Sequence, residues 1–142
     1  MKKNSETNAI IKPYDQLHLF GYKSPMKGFI KIFEKNNFPK QLLVTAPKGS
    51  GKSTFIYHFV NFILSKNELN TYNTNDFSID PNNATFKLIN QHTHPNFFLI
   101  RNLTDDKNIK IEQTKLLIKF LNKSTYSKSL KIVMIEIEVL ID

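Results

Sequence analysis

The sequence contains no cysteine and no tryptophan, and Arg101 is its only arginine. The lack of cysteine excludes disulfides, cysteine-ligated zinc, iron–sulfur clusters and thiol nucleophiles. No apolar run approaches the roughly 18 residues that a membrane-spanning helix needs. The basic N-terminus is not followed by the apolar segment of a secretory signal. We therefore expect a cytoplasmic protein that does not contact a membrane.

The formal net charge is +8, and lysine supplies almost all of it. A basic chain can have nucleic acid as a partner. Proteins that recognise bases favour arginine, because its forked guanidinium matches phosphates and base edges. An AT-rich genome would also produce this abundance of Asn, Lys, Ile and Phe. The charge therefore permits nucleic acid nearby but does not predict base recognition.

The length of 142 residues fits one domain with one modest core. Residues 1–16 are polar and irregular, which indicates a flexible leader, and the domain is expected over residues 17–142. Apolar residues at helical spacing predict four helices: one beginning near Ser24, one over Lys52–Ser65, a short one at Ala84–Asn90 and one at Glu112–Asn122.

Three short apolar runs predict strands, at Gln41–Thr45, Phe97–Ile100 and Lys131–Ile135. The first is bounded by Pro39 and Pro47, which favours a short buried strand. Strands that alternate with helices are typical of α/β proteins, and we expect a mainly parallel sheet.

One segment carries a recognisable chemistry. Ala46-Pro47-Lys48-Gly49-Ser50-Gly51-Lys52-Ser53 fits a phosphate-binding loop in which alanine replaces the first glycine. Glycine at positions 49 and 51 lets the backbone bend until consecutive N–H groups converge on one anion. The predicted helix that follows directs its positive end to the same place.

The residues that open this helix have the groups that a nucleoside triphosphate needs. Lys52 would reach the β- and γ-phosphates, and the Ser53 hydroxyl would bind Mg²⁺. Thr54 could add a further hydroxyl contact to a phosphate. The alternative from the residues alone is an ordinary turn between a strand and a helix, with a lysine at the surface.

A nucleotide site also needs an acidic group at the end of a neighbouring strand, to hold Mg²⁺ through water. Glu136 follows the apolar run 132–135, and Glu138 lies two residues further on the same face. The residues leave open which of the two would serve, or whether both are solvated glutamates at a strand edge.

With these residues in place, the chain resembles the bacterial clamp-loader subunits of DNA polymerase III, of the delta-prime type with its gamma/tau relatives. Four segments besides the loop carry the resemblance in order along the chain: Leu19-Phe20-Gly21-Tyr22, Phe38-Pro39-Lys40-Gln41-Leu42-Leu43, His94-Pro95-Asn96-Phe97 and Ile109-Lys110-Ile111-Glu112-Gln113. Lys131 to Ile135 adds the strand before the acidic motif. The likeness covers roughly residues 17–140.

This resemblance implies an AAA+-like P-loop NTPase domain with three layers, incomplete because the family's arginine finger, sensors, helical lid and collar would follow Asp142. It implies that ATP and Mg²⁺ bind at residues 46–54, with Leu19 and Phe20 near the adenine. The implied partners are clamp-loader subunits of the gamma/tau and delta types, and indirectly the sliding clamp and primed DNA. Little or no ATP hydrolysis is expected from this chain alone.

Two departures accompany the resemblance. The four-cysteine zinc module of many relatives is missing, and Glu136-Ile137-Glu138 replaces an aspartate-rich pair. Two other functions therefore stay open at this stage, an unrelated small P-loop kinase or NTPase and an interaction module that binds no nucleotide.

Overall fold

The computed structural model describes residues 11–101, 109–125 and 130–137. These residues form four helices and two strands, in the order α1 Lys23–Glu34, α2 Lys52–Leu64, α3 Ala84–Asn90, β1 Phe97–Arg101, α4 Ile111–Asn122 and β2 Ile132–Glu136. A single 3-10 turn at Pro13–Asp15 precedes α1. The structure confirms all four helices and the last two strands of the sequence prediction, with small shifts at their ends.

The strands β1 and β2 pair in parallel, from Phe97 opposite Ile132 to Arg101 opposite Glu136. Both strands come from aromatic and β-branched runs, whose side chains pack well on a pleated surface. The α/β class and the parallel pairing are thereby confirmed. The three-layer arrangement and the P-loop NTPase class stay predictions.

The strand predicted at Gln41–Thr45 is wrong, because this segment forms no ladder with any described residue. The Leu42 side chain is 48% exposed and that of Leu43 is 86% exposed. An apolar run becomes a strand only when another strand supplies the hydrogen bonds of its backbone. The two-stranded sheet contains only β1 and β2, and residues 41–45 therefore form an irregular segment outside any ladder of the described chain.

The helix α2 lies at the centre of the fold and is buried on most of its sides. On one side Phe55, Phe59 and Phe62 pack with Met26 of α1 and with Phe77 of the following loop. On the other side, a second cluster joins α2 to α3 and β2 through four buried side chains: Tyr57, Val60, Ile89 and Met134. An amphipathic pattern predicted only the first of these contacts.

His58 is another residue of α2 whose burial the amphipathic pattern does not predict. In the sequence, His58 lies off the apolar stripe of α2, a position that predicts a residue at the surface or the boundary. That expectation is wrong, because its side chain is fully buried. Its Nε2 lies 2.9 Å from the Gln16 carbonyl oxygen and its Nδ1 lies 2.9 Å from the Tyr72 hydroxyl.

The helix α4 packs less tightly than its apolar content suggested. Only Phe120 is buried, with its ring 5.3 Å from that of Phe98 on β1. The helical spacing of this segment predicts that Leu116, Leu117, Phe120 and Leu121 face inward. That prediction is wrong for Leu116 and Leu121, because both are more than half exposed. Lys131 closes the C-terminal end of the helix, since its Nζ donates to three carbonyl oxygens of the last turn and the cap.

Candidate functional site

The segment between the unpaired residues 41–45 and α2 is a tight turn, here called the glycine loop (residues 46–51). Gly49 has φ +77° and Gly51 has φ +86°, a region that residues with a Cβ rarely adopt. The Ser50 N–H donates to the Pro47 carbonyl oxygen at 3.2 Å and closes the turn. The two predicted glycines therefore occupy positions that require glycine.

The helix α2 begins directly after this turn. Its first hydrogen bond joins the Phe55 N–H to the Gly51 carbonyl oxygen at 3.0 Å. The N–H groups of Lys52, Ser53 and Thr54 precede that bond, and they have no acceptor within the helix. Together with the positive end of the helix dipole, these three donors form a suitable place for an anion.

The Lys52 ammonium group lies over the loop. Its Nζ donates to the Ala46 carbonyl oxygen at 3.2 Å, which keeps the positive charge beside the turn. Lys52, Ser53 and Thr54 are partly buried at the start of α2, whereas residues 47–51 are exposed. A phosphate that arrives from solvent would contact the loop backbone first. The Lys52 ammonium group could then donate to the phosphate instead of to the Ala46 carbonyl oxygen.

Tyr22 approaches the glycine loop from the other side. Its hydroxyl donates to the Ser50 Oγ at 3.1 Å. Its ring stacks on Phe55 in the first turns of α2, with 5.2 Å between the centroids and 12° between the planes. In the sequence, Tyr22 ends the Leu19–Tyr22 segment of the family resemblance, but nothing local indicates that it contacts Ser50.

Leu19 and Phe20, which the resemblance placed near the adenine, have different surroundings. Leu19 is buried in the core at 2% exposure, and its N–H donates to the Phe77 carbonyl oxygen. Phe20 is 74% exposed. Of the two side chains, only that of Phe20 is available to a planar ligand from solvent.

Glu136, the acidic residue after the apolar run, ends β2 opposite Arg101 at the end of β1. Its Oε2 accepts a hydrogen bond from the Arg101 Nε at 2.6 Å. Partial burial lowers the pKa of Arg101, but the hydrogen bond and the charge of Glu136 outweigh it, and the net pKa is raised. Burial, followed by the charge of Glu136, raises the pKa of the nearby Tyr57 hydroxyl.

The second carboxylate oxygen of Glu136, Oε1, is buried and has no hydrogen-bond partner within the described residues. It has the right chemistry to accept a further donor or to face a cation. No hydrogen bond or ion pair joins Glu136 to Ser53 in the part of the chain that is described. Glu138 lies outside the described residues. In residues 11–101, 109–125 and 130–137, no three acidic or histidine side chains form a metal-binding cluster.

A scan against protein-family models matches residues 21–139 to the family described as DNA polymerase III, delta subunit. The chain belongs to this family. The match covers most of the chain and includes the glycine loop, α2 and both strands. No curated protein and no solved structure matches the chain.

Membership of the DNA polymerase III delta subunit family associates the chain with DNA replication and with a clamp-loader-type subunit. The matched residues contain every candidate site residue from Ala46 to Thr54, and also Glu136, whereas Leu19 and Phe20 precede them. Among the helices described in this family member, none is long and apolar enough to cross a membrane.

Proposed function

We propose that this DNA polymerase III family member is an ATP-binding clamp-loader subunit of the delta-prime type, with an AAA+-like nucleotide site at residues 46–54. The observation that carries the proposal is the glycine loop itself. It combines two glycines at positive φ, the open N-terminus of α2 and an ammonium group held over the turn. The ordered family resemblance supports the finer assignment to the delta-prime type.

In this proposal the backbone of Ala46 to Gly51 surrounds the β-phosphate, and Lys52 leaves the Ala46 carbonyl to neutralise the β- and γ-phosphates. Thr54 donates to a phosphate oxygen. Phe20 offers an exposed ring for the base, and Leu19 supports it from the core.

Mg²⁺ would enter with the nucleotide, bound to phosphate oxygens and to the Ser53 hydroxyl. Glu136 is the proposed acidic partner, since its Oε1 has no hydrogen-bond partner among the described residues. Its other oxygen is bonded to Arg101, which reduces the charge that a cation would meet. These groups therefore fit a Mg²⁺ ion whose ligands are mostly phosphate oxygens.

The partners in this proposal are clamp-loader subunits of the gamma/tau and delta types, and indirectly the sliding clamp and primed DNA in the cytoplasm. Family membership argues against the alternative of an unrelated small P-loop kinase or NTPase. An interaction module that binds no nucleotide is the remaining alternative. In such a module Lys52 would stay bonded to Ala46 and Glu136 to Arg101, and both charged groups would support the fold instead of a nucleotide.

Calorimetry with Mg-ATP tests the proposal. Lys52→Ala should weaken binding by about 1.5–3 kcal/mol, or roughly tenfold to a hundredfold, because a charge-assisted contact to phosphate is lost. Lys115→Ala is the matched control, since Lys115 is exposed on α4 and has no role in the loop. Circular dichroism would establish that all samples are folded.

Equal affinities of the wild type and Lys52→Ala would reject the assignment of the glycine loop as the phosphate site. If the folded wild type does not bind ATP at all, the better explanation is that this family member is an interaction module that binds no nucleotide.

A further inference from the structure

The hydrogen bond from Tyr22 to Ser50 joins the start of α1 to the tip of the glycine loop. The two residues are far apart in sequence, and the contact is made by side chains alone, 3.1 Å from the Tyr22 hydroxyl to the Ser50 Oγ. Neither the family match nor the loop motif assigns a role to this contact. The role of this contact therefore has to be argued from its own geometry.

Tyr22 is itself held in place from three directions. Its ring stacks on Phe55 and packs against the core cluster between α1 and α2. Its carbonyl oxygen accepts the Met26 N–H at 2.9 Å, within the first turn of α1. Its backbone has φ +47°, which is uncommon for a residue with a bulky side chain. Such a position persists only where the surroundings determine it.

Ser50, by contrast, lies between two glycines that both have positive φ. Glycines flank it on both sides, and a glycine-rich loop loses much conformational entropy when it is ordered. Its N–H is bonded to the Pro47 carbonyl oxygen, and its side chain is bonded to Tyr22. The Tyr22 ring also lies close to Gly51, because a Cβ added there would be 3.7 Å from the Tyr22 Cε2.

We propose that Tyr22 is a positioning residue that keeps the glycine loop in its turned conformation before any ligand arrives. The tyrosine touches no phosphate in this role; it acts through Ser50. A loop that is already ordered loses less entropy on binding, and its affinity for an anion rises accordingly. The effect on ATP rests on the proposed function, whereas the effect on loop order does not.

Two measurements test the proposal on the whole chain. Hydrogen exchange of the Ser50 backbone amide, which is bonded to the Pro47 carbonyl oxygen, should become faster without nucleotide in Tyr22→Phe, which removes only the hydroxyl and keeps the stacked ring. Mg-ATP affinity should fall about twofold to tenfold in Tyr22→Phe, the range expected for one modest hydrogen bond. The unfolding midpoint should stay unchanged, because the ring still packs on Phe55.

Variants at Ser50 distinguish a hydrogen bond from a general disturbance. Ser50→Ala should reproduce the effects of Tyr22→Phe, and the double variant should show no larger effect than either single change. Ser50→Thr keeps a hydroxyl and should retain both the slow exchange and the affinity.

The outcomes separate this proposal from the nucleotide site. If Lys52→Ala weakens ATP binding but Tyr22→Phe does not, the positioning role is wrong and the phosphate site stands. Additive effects of the Tyr22 and Ser50 changes would also overturn it. If the wild type binds no ATP, the proposed function fails, and unchanged amide exchange in Tyr22→Phe would then reject the positioning role independently.

Discussion

The buried imidazole of His58 predicts that the chain loses stability in mild acid. Its side chain is fully buried, and burial lowers its pKa from 6.5 to about 4, with the nearby His18 adding a smaller effect in the same direction. The hydrogen bond to the Gln16 carbonyl oxygen opposes this shift. A carbonyl can only accept, so Nε2 carries the hydrogen and Nδ1 of the neutral ring accepts from the Tyr72 hydroxyl.

The direction follows from the two protonation states. Because the pKa of His58 is lower in the folded chain, the unfolded chain binds the extra proton first as the pH falls. The stabilisation is complete above the unfolded pKa of 6.5 and is lost as the pH falls toward the folded value of about 4. Linkage gives a loss of about 2 kcal/mol between about pH 7.5 and about pH 5, and about 3 kcal/mol once both states are protonated.

Urea unfolding at these two pH values measures the loss directly. His58→Gln removes the titration, and the variant should therefore depend less on pH by about 2 kcal/mol over this interval, whatever its absolute stability. His92→Asn is the matched control, because His92 is exposed and has φ +56°, which asparagine tolerates. The control should retain the pH dependence of the wild type.

The same pH dependence in wild type and His58→Gln would refute this reasoning. It would mean that the imidazole is hydrated or protonated in the folded chain. A wild type that is equally stable at both pH values would lead to the same conclusion.

Three further predictions concern the charged groups. Glu136→Gln should lower the free energy of unfolding by about 1–2 kcal/mol, since it breaks a partly exposed ion pair. If Glu136→Gln costs as much in an Arg101→Gln background as in the wild type, the pairing is contradicted. Lys131→Met should cost about 1–2 kcal/mol by urea unfolding through lost contacts to α4 carbonyls, unlike Lys115→Met. The purified chain should hydrolyse ATP negligibly, because its only arginine is bonded to Glu136 and a transition-state arginine contributes about 10³–10⁵ in rate; turnover near one per second in a phosphate-release assay would show the opposite.

The parts of the fold that could be predicted depend on short-range patterns. The spacing of Phe55, Phe59 and Phe62 predicts α2, and the apolar runs at 97–100 and 131–135 predict the two strands. Glycines at positions 49 and 51 predict the turn, because the required φ values belong to glycine. Each of these signals lies within the element that it predicts.

The parts that could not be predicted depend on distant partners. Residues 41–45 have the composition of a strand, but pairing requires a neighbour that no local pattern contains. Tyr57 looks like the outer side of α2 until α3 and β2 cover it, and so does His58 until Gln16 and Tyr72 bond to its ring. The ion pair of Arg101 with Glu136 exists only because the register of β1 and β2 places the two residues opposite each other.

The absence of a strand at 41–45 changes how the glycine loop is supported. In a strand–loop–helix arrangement, the ladder of the strand would hold one end of the turn and the helix would hold the other. Here α2 holds the C-terminal end, and the residues before the loop form no ladder within the described chain. The contacts that restrain the turn include those of Pro47 with Ser50, of Lys52 with Ala46 and of Tyr22 with Ser50. The last of these connects the loop to the start of α1, and the stacking of Tyr22 on Phe55 extends that connection to the core. The order of the glycine loop therefore depends in part on α1, and not on a ladder at residues 41–45 within the described chain.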